Sequence, residues 1–212
     1  LTRSELLSQL GAYGNDPAVN AWAGATTLTY LNHPESVDAA VAGTALGLAA
    51  RSGDEALYEA YRTRFETATV PDQRNRYLGA LGGFRKADLV EKALAYSLSG
   101  PLRPQELFVI PSGLAETDAL KMRCWEWFKT NYDTIVKRVP AFYVPNLSYF
   151  ASCCEERRIE DARAFFSMPA HAPVGTKEVL AKVLDGIGDC AGLRQREGAA
   201  VARVMMHVAQ AP

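Results

Sequence analysis

The stretch MRCWEWFKTNYDTIVKR, residues 122–138, concentrates aromatic side chains between Trp125 and Tyr132. On a helix, Trp125, Phe128 and Tyr132 follow one stripe, because they are spaced at i, i+3 and i+7. Trp127 lies about 200° away from Trp125 around the same helix. A helix with two apolar faces is sandwiched between other helices, and aromatic side chains that each bury about 150–250 Å² suit such contacts. We therefore interpret these aromatic residues as core and not as a platform for a ligand.

The helical pattern continues along the whole chain. No run of residues shows a convincing alternation with a period of two, which a half-buried strand would require. Proline in the first turn and glycine after the last turn mark frequent starts and stops, so we predict about eleven or twelve helices of about 10–20 residues. The predicted helices begin near Pro17, Ser36 (as the cap), Asp54, Pro71, Lys86, Pro104, Thr117, Phe142, Glu155, Gly175 and Arg196, with ends expected at Gly53 and Gly100.

The spacing of these elements predicts the fold. Short links between helices imply antiparallel neighbours. Helix pairs that recur about every 35–45 residues are typical of stacked solenoids. The sequence therefore predicts an all-α fold, a HEAT/armadillo-like superhelical array of antiparallel helix pairs, forming a single α-helical repeat domain over residues 1–212. A compact irregular bundle is the competing arrangement.

Glycines interrupt the segment RNRYLGALGGF, residues 74–84. Gly79, Gly82 and Gly83 each cost roughly 1 kcal/mol in a helix interior relative to alanine. We expect either a close approach of a neighbouring helix or a C-terminal cap at Gly82 and Gly83. The spacing does not match a phosphate-binding loop, and no strand precedes the segment.

Charge and hydropathy exclude two classes of partner. The chain has 23 Lys and Arg against 24 Asp and Glu, a net charge of −1, so there is no basic stripe for nucleic acid. No apolar run reaches the roughly 18 residues of a membrane span, so we expect no membrane partner. The chain starts at Leu1 without a methionine, and we expect it to be a piece of a longer polypeptide. Its last apolar segment, VARVMMHVA, is expected to pack back on the array.

The residues that commonly perform chemistry form no recognisable centre. His33, His171 and His207 lack partners at metal-ligand spacing, and no H-E-x-x-H motif occurs. A thiol dyad of Cys153 or Cys154 with His171 is conceivable, but nothing supplies an orienting third group or an oxyanion hole. We therefore expect no catalytic and no metal-binding residue in this chain.

The cysteines leave two possibilities open. Cys124, Cys153, Cys154 and Cys190 form no C-x-x-C pair, which gives little support to a zinc or thioredoxin-like motif. The favoured interpretation is buried thiols. The alternative is one disulfide that joins Cys190 to Cys153 or to Cys154, which would indicate an oxidising compartment.

Three landmarks in order carry a family resemblance. They are RYLGALG at residues 76–82, LSG at 98–100 followed by RPQE at 103–106, and WEWFKTNYD at 125–133. Their order and spacing resemble the C-terminal helical domain of the aminopeptidase N family of zinc metallopeptidases, of the endoplasmic-reticulum aminopeptidase type. The resemblance covers about residues 50–212, and the first fifty residues fit as preceding helices of the same domain.

The resemblance implies a function without implying a catalytic site. In the family, the concave face of this domain closes over the active site of a separate zinc domain, forms the substrate cavity and limits which peptides enter. The H-E-x-x-H…E zinc motif is absent here, so no catalytic or metal-binding residue carries over. The zinc would belong to the catalytic domain of the parent chain, which removes N-terminal amino acids. That catalytic domain and the peptide substrate are the implied partners.

Peptide-contacting residues cannot be carried over one by one. Arg76, Arg103 and Lys129 are basic candidates for facing the cavity, where they would attract a peptide carboxylate, although a structural role is the favoured interpretation for each. A free-standing helical-repeat scaffold for protein–protein interaction is the alternative hypothesis. A periplasmic or secreted location and a cytoplasmic one both stay open.

Overall fold

The computed structural model of this chain describes residues 2–209, with side chains up to residue 205. Within that range the protein is helical and contains no β-strand. The α-helices are α1 (Arg3–Ser8), α2 (Pro17–Asn32), α3 (Ala39–Ser52), α4 (Glu55–Thr67), α5 (Pro71–Leu81), α6 (Ala87–Ser99), α7 (Val109–Leu114), α8 (Asp118–Val136), α9 (Arg157–Ser167) and α10 (Thr176–Ala209). The predicted all-α fold class is confirmed, whereas the superhelical arrangement of helix pairs stays a prediction.

The chain forms two compact units, Leu1–Glu116 and Thr117–Pro212. We call them the N-terminal unit, which holds α1–α7, and the C-terminal unit, which holds α8–α10. In the N-terminal unit α3 packs against α2 and α5, and α5 also packs against α4 and α7. In the C-terminal unit the 3-10 segment Ala141–Ala151 contacts α8, α9 and α10. That residues 1–212 act as a single repeat domain stays a prediction.

Several predicted helix termini are confirmed. Asp16 caps α2, where its carboxylate accepts hydrogen bonds from the amides of Ala18 and Val19, both at 2.9 Å. Asp54 caps α4 by accepting from the amide of Leu57 at 3.0 Å. Each carboxylate satisfies an amide that has no intrahelical partner. The boundaries predicted at Gly53, Pro71 and Gly100 are also observed.

The prediction that Ser36 caps α3 is wrong. Ser36 ends a 3-10 turn, and its hydroxyl donates to the carbonyl of His33 at 2.8 Å. Asp38 caps the helix and accepts from the amide of Ala40 at 2.9 Å. Two residues with good capping side chains lie two positions apart, and the turn at Ser36 leaves the cap to Asp38.

Two predicted α-helices are 3-10 structure in whole or in part. The segment from Pro104 forms a 3-10 turn, Pro104–Glu106, before α7 begins. The carboxylate of Glu106 holds this turn by accepting from the amide of Arg103 at 2.8 Å. The segment predicted from Phe142 is a 3-10 helix over Ala141–Ala151 that contains Pro145. Proline lacks an amide donor, which interrupts the α-helical hydrogen-bond pattern.

The last two predicted helices, which were expected to begin near Gly175 and Arg196, form one continuous helix. α10 runs for 34 residues through the expected break near Arg196. Good helix formers fill this stretch, and the isolated glycines nearby, Gly192 and Gly198, weaken a helix without ending it. The expected packing of the last segment is wrong for its described side chains, because Val201, Val204 and Met205 are each exposed by more than half. The side chain of His207 lies outside the described residues.

Buried aromatic rings form the core of the N-terminal unit. Tyr61 and Phe65 of α4 are fully buried, and Leu57 is half-buried. The Tyr61 ring lies 6.0 Å from that of Tyr77 in α5 and 5.8 Å from that of Phe84. The apolar face of α6 is buried at Leu89, Val90, Ala93 and Leu94 and half-buried at Leu98.

Both apolar faces of α8 are buried, which confirms the interpretation of the aromatic stretch as core. Trp125 is 0% exposed and Trp127 is 6% exposed. On one face, the Trp125 ring lies 5.5 Å from Phe165 of α9. On the other, the Trp127 ring lies 6.1 Å from Phe150 of the 3-10 segment. Phe150 also stacks on Phe128 at 4.5 Å, so the 3-10 segment contacts both aromatic faces of α8, and α9 contacts the Trp125 face.

Candidate functional site

The three basic candidates from the sequence each have a partner within their own unit. Arg76 donates to the hydroxyl of Tyr30 at 3.1 Å. Lys129 binds the carboxylate of Asp161 at 3.1 and 3.2 Å. Arg103 is the most exposed of the three, with 67% of its side chain accessible, and lies 4.0 Å from Glu106. These contacts favour a structural role for Arg76 and Lys129.

A glycine-lined cleft in the N-terminal unit is the strongest candidate for binding an extended chain. It has a volume of about 340 Å³. Glycines supply much of its wall: Gly43, Gly47, Gly79, Gly82, Gly83 and Gly113. At Gly47 and Gly79 nothing lies within 4 Å of an added Cβ, so the backbone of a ligand can approach the wall closely there, whereas protein atoms fill that space at Gly82, Gly83 and Gly113.

Helices α5 and α7 approach closely beside this cleft. A Cβ atom added at Gly82, which caps the end of α5, would lie 2.9 Å from the carbonyl oxygen of Ile110 and 3.0 Å from Cα of Gly113. Both expectations for this segment, a cap and a close approach, are therefore met at Gly82. Around Gly79 nothing lies within 4 Å of an added Cβ, so this glycine opens onto the cleft without a packing constraint.

Two arginines and one glutamate give the cleft its charge. Arg85 donates from Nε and Nη2 to Oε2 of Glu116 at 3.0 and 2.7 Å, and Arg51 binds the same oxygen. Burial alone would raise the pKa of Glu116, but the hydrogen bonds from both arginines outweigh it and hold the pKa below the ordinary value. The carboxylate therefore stays charged at neutral pH, and the cluster carries one net positive charge. Arg85 also donates to the carbonyl oxygens of Gly82, Phe84 and Gly113, so its N–H groups are engaged within the protein and the cluster attracts an anion only through its net charge.

No pattern in the sequence indicates a role for Arg51, Arg85 or Glu116. The ion pairs join positions separated by 65 and 31 residues. No local pattern marks such contacts, because they depend on how α3, α5 and α7 pack. The glycines between residues 79 and 83 were the one visible signal of this cleft.

In the C-terminal unit, polar groups surround Trp125. The indole Nε1 donates to Asp161, and the guanidinium carbon of Arg158 lies 5.3 Å from the Trp125 ring centroid. Arg158 is 2% exposed, and its Nη2 donates to the sulfur of Met122 at 3.3 Å. These contacts tie α8 to α9, while Nε and Nη1 of Arg158 are buried without a hydrogen-bond partner among the described residues.

The favoured interpretation of buried thiols is wrong for two of the four cysteines. Cys154 and Cys190 form a disulfide, which ties the chain before α9 to α10. The sequence left open whether Cys190 would pair with Cys153 or with Cys154, and the pair with Cys154 is the one observed. Cys153 is buried, and its sulfur contacts the backbone of Glu155.

The structure does not assemble a thiol dyad. The His171 ring nitrogen Nδ1 lies 3.0 Å from the carbonyl oxygen of Phe165, and the imidazole stacks on the Phe165 ring at 4.1 Å. His33 lies on the surface, 3.6 Å from Glu35. Within residues 2–205, no group of three or more His, Cys, Asp or Glu is arranged to hold a metal ion. The His, Cys, Asp and Glu side chains of this range therefore do not fit a zinc site.

Across the described part of the chain, every helix is too short or too polar to cross a membrane.

A family model described as "ERAP1-like C-terminal domain" matches residues 1–189. The chain belongs to this family. The match includes the first fifty residues, where the sequence offered no distinctive motif, and it ends within α10. The whole N-terminal unit, with its glycine-lined cleft, therefore lies inside the ERAP1-like C-terminal domain.

Curated relatives of this ERAP1-like domain are aminopeptidases. Aminopeptidase 2, mitochondrial, from Saccharomyces cerevisiae is 26% identical over 161 residues, which are 72% of this chain and 16% of the relative. The alanine/arginine aminopeptidase of the same yeast is 27% identical over 145 residues, 65% of this chain and 16% of the relative. Aminopeptidase M1-B from Oryza sativa subsp. japonica is 33% identical over 93 residues, which are 43% of this chain and 10% of the relative. The chain thus spans about one sixth or less of the relatives it matches.

Proposed function

We propose that this chain is the non-catalytic C-terminal domain of a zinc aminopeptidase, where it covers the active site, forms part of the substrate cavity and limits which peptides enter. The family match over residues 1–189 carries the proposal. The small share of each aminopeptidase relative that the chain covers supports it, because the catalytic part would lie elsewhere in the polypeptide. The partners are that catalytic domain, which holds the zinc, and the peptide substrate.

We assign peptide contact to the glycine-lined cleft of the N-terminal unit. The open backbone at Gly47 and Gly79 suits an extended peptide, and the net positive charge of Arg51, Arg85 and Glu116 suits a carboxylate. Arg103 is the remaining sequence candidate that is exposed enough to reach a substrate.

The proposal is tested with three preparations: the longer polypeptide that contains this chain, the same polypeptide without residues 1–212, and the isolated chain. Release of N-terminal amino acids is measured on an aminoacyl amide and on peptides of increasing length. We expect zinc-dependent release by the longer polypeptide with a limit on peptide length, loss of that limit without residues 1–212, and no release by the isolated chain. Adding the isolated chain to the deletion variant tests whether the limit returns.

A photo-crosslinking arm covers the case in which the deletion variant fails to fold. A peptide substrate with a benzophenone side chain is irradiated with the longer polypeptide, and the labelled fragment is identified by mass spectrometry. Label within residues 1–212 that unlabelled peptide displaces supports the proposal. Label confined to other parts of the polypeptide, or saturable zinc-dependent turnover by the isolated chain, overturns it.

A further inference from the structure

One short motif in the C-terminal unit has no part in the proposed function. Asn146, Leu147 and Ser148 form the sequence N-L-S, and no other asparagine of the chain is followed two positions later by serine or threonine. Asn-x-Ser, in which x is not proline, is the acceptor sequence for N-linked glycans. So short a motif also occurs by chance, and its structural surroundings decide whether it can carry a glycan.

The 3-10 helix Ala141–Ala151 places Asn146 on its solvent side. Side chains three positions apart eclipse one another in a 3-10 helix, so Tyr143, Asn146 and Tyr149 share one side. Tyr143 is 38% exposed, Tyr149 is 55% exposed, and Asn146 between them is half-buried. The residues of this helix that are buried lie on its other two sides: Val144, Pro145, Leu147, Ser148 and Ala151. A glycan on Asn146 would therefore leave the protein from the side of the helix that faces solvent.

The side-chain amide of Asn146 is available for attachment. Among the described residues, no group donates a hydrogen bond to this amide or accepts one from it. A glycan on its Nδ2 atom would therefore break no contact that holds the fold. The Ser148 hydroxyl, in contrast, is buried and donates to the carbonyl oxygen of Pro145 at 2.8 Å. A transferase can read that hydroxyl only before this segment folds, so the glycan must be added during synthesis of the chain.

The disulfide is an independent observation that points to the compartment in which N-linked glycans are added. Cys154, which follows the motif closely, is bonded to Cys190. Disulfides form and persist in oxidising compartments such as the lumen of the endoplasmic reticulum and the extracellular space. The acceptor motif likewise acts in secreted proteins. The disulfide and the motif therefore imply the same compartment.

We propose that Asn146 carries an N-linked glycan. In the transfer, Nδ2 of Asn146 forms a bond to the anomeric carbon of an oligosaccharide that is linked to a lipid through pyrophosphate. The bond between that carbon and the pyrophosphate oxygen breaks, the lipid pyrophosphate leaves with the electron pair, and one amide proton passes to a base of the transferase. The site is independent of the proposed function, because it lies in the C-terminal unit and uses none of the cleft residues.

The test uses the native polypeptide that contains this chain, isolated from its source cells. After reduction and tryptic digestion, the sample is treated with peptide N-glycosidase in water enriched in heavy oxygen, which converts a glycan-bearing asparagine into a labelled aspartate. Mass spectrometry of the peptide of residues 139–157 reads the label. We expect the label at position 146 in most molecules. An unlabelled Asn146 in the native polypeptide overturns the proposal.

Variants of the longer polypeptide, secreted from a eukaryotic host, tie the glycan to the motif. Asn146→Gln and Ser148→Ala should reduce the glycan-bearing fraction of the same peptide to background, whereas Ser148→Thr should keep the glycan. Tyr149→Ala is the matched control, because it removes an exposed side chain beside Asn146 and leaves the motif intact. Its glycan-bearing fraction should equal that of the unmodified polypeptide.

The fraction is measured on denatured protein from whole cells together with the medium, so a variant that folds poorly is still scored. Loss of the glycan in Asn146→Gln and Ser148→Ala, with retention in Ser148→Thr and Tyr149→Ala, supports the proposal. A glycan that persists on this peptide in Asn146→Gln, or an unmodified polypeptide that carries none at Asn146, overturns it.

Discussion

Trp125 of α8 donates its indole hydrogen bond to the carboxylate of Asp161 in α9. Lys129, one turn further along α8, binds the same carboxylate. Burial alone would raise the pKa of Asp161, but the hydrogen bonds from Trp125 and Lys129 outweigh it and hold the pKa below the ordinary value. The most aromatic helix is thus fixed to its neighbour by a charged hydrogen bond in addition to ring packing.

Replacement of Trp125 by alanine is expected to lower the free energy of unfolding by about 3–5 kcal/mol, because it removes a fully buried indole and its bond to Asp161. Urea unfolding followed by circular dichroism measures the loss. Phe142→Ala is the control: that ring is 81% exposed, and we expect a change within about 0.5 kcal/mol. A loss below about 1 kcal/mol for Trp125→Ala would contradict the core assignment.

The ion pair of Arg74 and Glu106 predicts an acid-sensitive contribution to stability. Only 16% and 9% of the two side chains are exposed. Burial alone would raise the pKa of Glu106, yet the hydrogen bonds from Arg74 and from the amide of Arg103 leave it below the ordinary 4.5. Because the pKa of Glu106 is lower in the folded state than in the unfolded state, this pair contributes fully to the free energy of unfolding above the unfolded pKa. That contribution is lost as the pH falls through the folded pKa.

Glu106→Gln is therefore expected to cost about 1.5–3 kcal/mol at pH 7 and to lessen the decline in stability below about pH 4.5. Urea unfolding at several pH values from 7 to 3 measures both effects. Glu35→Gln, at a carboxylate that is 75% exposed, is the control and should stay within about 0.5 kcal/mol at pH 7. If the free energy of unfolding of Glu106→Gln fell with pH as steeply as that of the unmodified chain, the pair would not contribute to the acid sensitivity of the fold.

Two glycines three positions apart should respond oppositely to alanine. Gly82→Ala places a methyl group against Ile110 and Gly113 and is expected to cost about 1–3 kcal/mol. Gly79→Ala meets open space within a helix and is expected to add about 0.5–1 kcal/mol. Thermal or urea unfolding measures both. Equal effects of the two substitutions would contradict the close approach of α5 and α7.

The Cys154–Cys190 bond is expected to contribute about 4 kcal/mol, since it closes a loop across a separation of 36 residues. Unfolding is compared with and without a reductant. The unmodified chain and Cys153→Ser should both lose stability on reduction, whereas Cys154→Ser should be insensitive to the reductant. Loss of this sensitivity in Cys153→Ser with retention in Cys154→Ser would show that Cys153 forms the bond.

Local patterns predicted the helices correctly where a single hydrophobic period and a single capping residue marked the segment. The stripe of α8 and the Asp16 and Asp54 caps depend on neighbouring residues, so they could be read from the sequence. The predictions failed where local signals competed, as at Ser36 and Asp38. They also missed the short first helix, although Thr2 and Glu5 form a capping box there.

The candidate site was mostly invisible to the sequence because it depends on tertiary contacts. The glycines after Arg76 marked the cleft, but Arg51 and Glu116 meet across 65 positions. The partner of Cys190 depended on which of two adjacent cysteines faces α10. The family resemblance supplied the proposed function, and the family match confirms the membership on which that proposal rests.

The most direct test of the central claim is the mass of the native polypeptide that carries this sequence, captured from its source cells by an antibody and measured after denaturation and reduction. In the two yeast relatives, 72% and 65% of this chain correspond to 16% of the relative, which predicts a species about four to five times heavier than the 23.1 kDa of this chain. A species of about 23 kDa with no heavier form would contradict the account and identify a free-standing helical scaffold.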